Sequence, residues 1–211
     1  MSAGRLLAAD LSELGARERL LRTALRLFNE RGVHRVGTDL IIAEADVAKM
    51  TFYRLFKSKA RLIAECLRAR DADWFALLHR HVAQHGDPEA RALALFDAFD
   101  EWFRQPGFVG CPFIRSLYDF DLRRDDREIV DVIQAHFAAL QALVTELVAA
   151  VRPRDPAKIA LQFISLLSGS IIVAQVTGAP DIARANRAQA KLLLDSPPAS
   201  AGRRTASATR R

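Results

Sequence analysis

Cysteine is nearly missing from this chain. Only Cys66 and Cys111 occur among 211 residues, which excludes a disulfide framework and the paired spacing of a zinc ribbon. Glycine and proline are also scarce, at 10 and 8 residues. Strand-like alternation of β-branched residues is almost absent, so the fold class is all-α. There is no glycine-rich phosphate loop and no nucleophile matched to a base, so an enzyme is not expected. Nor is any cofactor or metal. His81 and His85 stand four apart, a spacing that can grip a metal, but the HExxH pattern is lacking and a solvated helix end is the simpler reading. The opening residues MSAGRLLAADLSELGARERL lack the sustained apolar run of a secretory signal, and a cytoplasmic location is expected. One stretch tests the absence of a membrane segment: residues 159–180 carry no charge. Gln162, Ser165, Ser168, Ser170, Gln175 and Thr177 make it too polar for a span, so a helix buried on several sides is expected instead.

What is present is unevenly charged. Residues 1–60 hold 11 Lys/Arg against 7 Asp/Glu, residues 61–195 hold 16 against 18, and residues 196–211 hold four Arg and no acid. A basic head on a slightly acidic body points to a polyanion partner for the head alone. The apolar periodicity gives about nine helices. A first begins near Ser12, carries Leu21, Ala24, Leu25 and Phe28 on one stripe, and ends at Gly32 with a left-handed cap. A short second helix starts at Gly37 or Thr38, and a third spans 48–55. A long fourth, capped by Ser58, covers about 59–85. Further helices follow near 88–104, 112–121, 126–151, 156–177 and 180–194. Three units are expected: a basic head over 1–57, a helical body over 58–195, and a disordered basic tail over 196–211.

The segment 47–59, VAKMTFYRLFKSK, is the informative one. At 100° per residue, Ala48, Phe52, Leu55 and Phe56 gather on one face, while Lys49, Met50, Tyr53 and Arg54 occupy the other with Thr51 on a flank. A helix of two turns cannot stand alone in water, so its phenylalanines must seat on the helices before it. Two short helices joined by a tight turn, the second exposing cations and a tyrosine, make a helix-turn-helix sized for a DNA major groove. Lys49, Arg54 and the Tyr53 hydroxyl suit phosphates; Met50 and Thr51 suit base edges. Thr38 opens the preceding helix, and Lys57 and Lys59 flank the next helix's N-terminus, a further phosphate seat.

The stretch GVHRVGTDLIIAEADVAKMTFYRLFKSKARLI resembles the DNA-binding head of the TetR family of bacterial regulators. The family's core pattern, roughly IAxxAGVxxxTxYxxFxxKxxL, is met at Ile41, Ala45, Val47, Thr51, Tyr53, Phe56, Lys59 and Leu62. There are three departures. Asp46 replaces the turn glycine, Ala48 stands where a capping serine is common, and Leu55 stands where histidine is common. More weakly, GCPFIRSLYDF and the helix pair at 155–194 resemble a subgroup of the family.

The resemblance implies a body that binds a small effector and dimerises through its last two helices. Trp74, Trp102, Phe113, Tyr118, His136 and Gln162 are the pocket candidates: four aromatic or apolar groups, and polar side chains that need a partner when buried. For the interface, Ser165 and Gly169 let helices approach, and Leu166, Ile172, Val173 and Val176 supply apolar area. The expected function is a ligand-responsive homodimeric repressor on double-stranded, palindromic operator DNA, with no membrane association. The alternative is a non-specific architectural DNA-binding protein that also uses Arg203, Arg204, Arg210 and Arg211.

Overall fold

Nine helices and no strand form among the residues that the computed structural model describes, 14–121 and 126–195. They are α1 (Ala16–Arg31), α2 (Thr38–Glu44), α3 (Lys49–Phe56), α4 (Lys59–Ala83), α5 (Pro88–Phe103), α6 (Pro112–Asp119), α7 (Arg127–Val151), α8 (Pro156–Thr177) and α9 (Ile182–Leu194). The start expected at Ser12 and the tail over 196–211 lie outside the described residues.

Local chemistry sets the helix ends. Ser58 accepts a hydrogen bond from the Arg61 amide at 3.0 Å, Asp87 from Ala90 at 2.9 Å and Asp155 from Lys158 at 3.2 Å, each satisfying an otherwise orphaned donor. Pro88 and Pro156 follow the two aspartates at the first helical position, where no amide proton is needed. The stop after α1 differs from expectation: Gly32 has φ 80° and ψ 155°, an extended mirror-image conformation open to glycine, rather than the left-handed helical cap. Pro180 and Asp181 precede α9 rather than beginning it, and Asp181 makes no capping bond.

Two apolar clusters hold the chain. The first joins α1, α2, α3 and the opening turns of α4 around Leu20, Leu27, Ile41, Phe52, Phe56 and Leu62. It does not stop at the head: Phe113 of α6 and Ile129, Val132 and Ile133 of α7 belong to it. The expected boundary at 57/58 therefore falls inside one continuous cluster. The second cluster fills the body between α4, α5, α7, α8 and α9. Arg61 and Arg68 of α4 both pair with Glu128 of α7, adding a charged tie along the same seam.

The uncharged stretch at α8 is less enclosed than expected. Ile159, Ala160, Phe163, Leu167, Ser170, Ile171 and Ala174 form its buried stripe. The opposite side stays open, with Leu161 58%, Ile172 52% and Val176 78% exposed. Both α7 and α8 are long and apolar enough to cross a membrane by length and composition. The surroundings of α8 argue against hydrocarbon. Its neighbour α9 lays Arg184, Arg187 and Lys191 on Asp100, Asp97 and Glu89 of α5, an ion-pair row suited to water.

Candidate functional site

The turn between α2 and α3 carries the strain that its sequence implies. Asp46 sits at φ 50°, a left-handed backbone that aspartate tolerates better than most residues. Ala48 precedes α3 without a capping side chain. A residue that sequence reasoning missed supplies the missing support. Arg19 of α1 donates to the carbonyl of Ala45 at 3.0 Å, of Asp46 at 2.9 Å and of Leu14 at 3.3 Å. One guanidinium thus clamps the turn from below and satisfies carbonyls left free at the end of α2. Helical phase sets Arg19 off the Leu21–Phe28 stripe but does not show that it reaches back to a turn 26 residues away. Replacing Arg19 by Met is expected to cost about 2 kcal/mol, the scale of a hydrogen-bonded charge. Denaturant unfolding together with amide exchange at residues 45–47 checks this; protection unchanged at those amides would remove the clamp.

On α3, Phe52 and Phe56 are 0% and 1% exposed, and the Phe56 ring is covered by the Arg17 guanidinium 5.5 Å from its centroid. The other side faces out: Met50 is 80% and Tyr53 42% exposed, with Lys49 and Arg54 also exposed and Thr51 half-buried. The Tyr53 ring meets Phe52 edge-on at 5.1 Å, which fixes its aromatic part while leaving the hydroxyl end outward. Lys49 reaches Asp39 of α2 at 3.1 Å, an exposed pair that a phosphate could displace. Thr38 is half-buried at the first turn of α2, and Lys57 is exposed just past α3 at φ 62°. Lys59 departs from this face. Its ammonium donates to the Val33 carbonyl at 2.7 Å, and burial lowers its pKa, so it braces the α1–α2 loop instead of standing free for a phosphate. The sequence showed its charge but not its direction.

Residues 20–66 match the family model described as bacterial regulatory proteins, tetR family. The full fold agrees. A TetR-family transcriptional regulator from Streptomyces coelicolor superposes with a TM-score of 0.76 at 28% identity, covering 85% of this chain and 94% of that one. The head belongs to the TetR family, and the whole chain has that family's fold. A putative TetR-type transcriptional regulator from Streptomyces avermitilis gives 0.72 at 26% identity, over 86% and 97% of the two chains. The reduced form of NemR from E. coli gives 0.71 at 20% identity, over 85% and 97%, a likeness of fold. No curated protein sequence matches the chain.

The body beneath this head holds a cavity of about 290 Å³ running along α4. Four of the six expected pocket residues wall it: Trp74, Trp102, Phe113 and His136. Trp74 and Trp102 lie 4.8 Å apart, and Phe108 meets Trp102 edge-on at 5.0 Å, making an aromatic side. Opposite, His136 stacks on Phe113 at 3.6 Å and 4°. Its Nδ1 is already engaged by Asp71 at 2.7 Å, and burial lowers its pKa while Asp71 opposes the shift. The partner expected from a ligand is thus supplied in part by the protein.

Two expected pocket residues fall elsewhere. Tyr118 is 86% exposed on the outer side of α6, since α6 turns Phe113 and Ser116 inward. Gln162 is half-buried on α8 but outside the cavity wall, where Ser168 and Ile171 stand instead. Arg70 and Asp73 of α4 were missed. The available signal was their place on the stripe that continues through Trp74 and Leu77, where a charged pair interrupts an inward face. His81 bonds Glu101 at 2.8 Å, and no group of three metal-ligating side chains exists among the described residues.

On the expected interface, Ser165, Ile172, Val173 and Val176 are exposed, and Leu166 and Gly169 are half-buried. Asn186 of α9 donates to the Leu166 carbonyl at 3.1 Å and to Ser170 at 2.8 Å, locking α9 to α8 behind that surface.

Proposed function

We propose that the protein is a homodimeric, ligand-responsive repressor that reads a palindromic operator through α3, in the cytoplasm. The observation that carries the reading is the outward array of Lys49, Met50, Tyr53 and Arg54 on a helix whose two phenylalanines are fully anchored. A rigid helix with exposed cations, and with Met50 and Thr51 in its first turn, suits the major groove. DNA binding is the family's activity; repression, the effector and the dimer are the finer reading. A second copy is the partner proposed for the open side of α8, because Leu161, Ile172 and Val176 form an apolar stripe too exposed for a lone soluble chain.

Coupling is proposed to run through α6. Its first turn walls the cavity with Cys111, Pro112 and Phe113. Its last residue, Asp119, accepts from His34 in the α1–α2 loop at 2.9 Å when that histidine's Nε2 carries the proton. A ligand that displaces Phe113 therefore moves a helix already tied to the head. The shift it can drive is limited by its preference for one arrangement over the other.

Selection of bound duplexes from a random pool tests the whole reading. Enrichment of an inverted repeat is expected; indiscriminate recovery would favour an architectural protein instead. Within any enriched site, Tyr53→Phe is expected to weaken binding about tenfold, the worth of one hydrogen bond to a charged oxygen. The melting curve should not move, because the ring contact with Phe52 remains. Unaltered affinity in a mobility-shift titration would take the hydroxyl out of the interface.

A further inference from the structure

The cavity is apolar along its sides but not at its head-proximal end. Arg70 and Asp73 both face it, one turn apart on α4, which puts their Cβ atoms about 5–6 Å from each other. Both are half-buried, and each is a counter-charge to the other without a direct bond between them. The Arg70 guanidinium makes no hydrogen bond or ion pair with a described residue, and its pKa is lowered by burial. Asp73 leaves Oδ2 buried and unbonded, and burial raises its pKa. Elsewhere around the cavity the charges are settled: Arg80 pairs with Glu101 at 2.8 Å and His136 with Asp71. A half-buried guanidinium beside a buried carboxylate oxygen without a hydrogen-bond partner is an arrangement that a polar occupant can satisfy.

Arg70 also stands where two cavities meet. A smaller one of about 60 Å³ reaches toward the head, and both share Asn29, Arg70 and residues 109–112. A group held at Arg70 therefore touches α1, α4 and the segment leading into α6 at once.

We propose that the effector is an aromatic carboxylic acid carrying a hydroxyl or amino group beside its acid, the acid bound by Arg70 and the neighbouring donor by Asp73. The inference rests on the reading of this cavity as the effector site. The guanidinium presents a planar fork that matches a carboxylate, the adjacent donor fills the orphaned Asp73 oxygen, and the ring system lies against Trp74, Trp102 and Phe108. A purely apolar ligand of equal size would leave both polar groups unanswered, and a cation would meet Arg70 directly.

Calorimetric titration of the full chain with a matched naphthalene series tests this: a hydroxynaphthoate with both groups on adjacent carbons, the naphthoate lacking the hydroxyl, and the naphthol lacking the acid. Trp74 and Trp102 are the chain's two tryptophans and both line the cavity, so fluorescence quenching reports where the ligand sits. The hydroxynaphthoate is expected to bind roughly tenfold more tightly than either relative. Arg70→Gln should bring it down to the level of the naphthol, and Asp73→Ala should close its gap from the plain naphthoate. Equal binding of acid and naphthol by the wild-type chain, or no binding by any of the three, overturns the proposal, and that ranking decides even if a variant fails to fold. Operator release is read separately. Naphthol releasing DNA better than the acid would overturn the ligand class and leave the regulator reading standing. Acid bound in the cavity without effect on DNA would support the ligand class and overturn the reading of this cavity as the effector site.

Discussion

Phe52→Ala should lower the unfolding free energy by about 3–5 kcal/mol, the usual cost of emptying a packed phenylalanine site. Phe52 is 0% exposed and packs at 6.0 Å from the Phe56 ring, in a cluster shared by α1, α2 and α4. A two-turn helix has no stability of its own to fall back on. Loss of its anchor therefore releases α3 and, with it, the DNA-facing side chains. A melting midpoint lower by on the order of 10 °C is expected for a chain of this size, along with lost operator binding. Retention of the wild-type melting curve would mean that the inward face of α3 has been assigned to the wrong residues.

The second large effect concerns assembly. Ile172→Asp places a charge in the middle of the open stripe on α8, where the residue is 52% exposed in the single chain. The isolated fold should keep its helicity, since the side chain fills no core. The pair should separate, because a carboxylate buried between two copies has no cation to meet it. Two linked heads gain from each other on a two-fold site, so separation should reduce operator affinity by about 10²-fold or more. Sedimentation velocity and a mobility-shift titration measure the two consequences. A wild-type chain that sediments as a monomer, or a variant that stays paired, would move the interface elsewhere.

The parts legible in the sequence are those governed by periodicity and capping. The three short helices of the head follow from the Leu21–Phe28 stripe, the glycine near 37 and the inward pair Phe52 and Phe56, and Ser58, Asp87 and Asp155 mark the starts of long helices because a side-chain oxygen there has a fixed geometric job. Direction of long side chains is another matter. Arg19 and Lys59 read alike as surface cations, yet both turn back to carbonyls, because four or more rotatable bonds let a charge reach partners that no periodic rule locates. The cavity shows the same divide. Aromatic residues at helical spacing placed Trp74, Trp102 and Phe113 on its wall, but Tyr118 lies on the other side of a helix whose phase was open to either choice. Arg70 and Asp73 went unnoticed because a charged pair one turn apart is ordinary on a helix until its face is known.

The apolar seam that passes from Phe52 and Leu62 through Phe113 to Ile129 and Ile133 has a practical outcome for engineering. Grafting a foreign head onto this sensor by joining at residue 57 would strand α6 and α7 residues without the counterparts they evolved beside. A working hybrid would have to carry matching substitutions at 113, 129, 132 and 133, or exchange α4 and those positions together. Modular shuffling of recognition and sensing is thus constrained here by hydrocarbon contact rather than by the connecting chain.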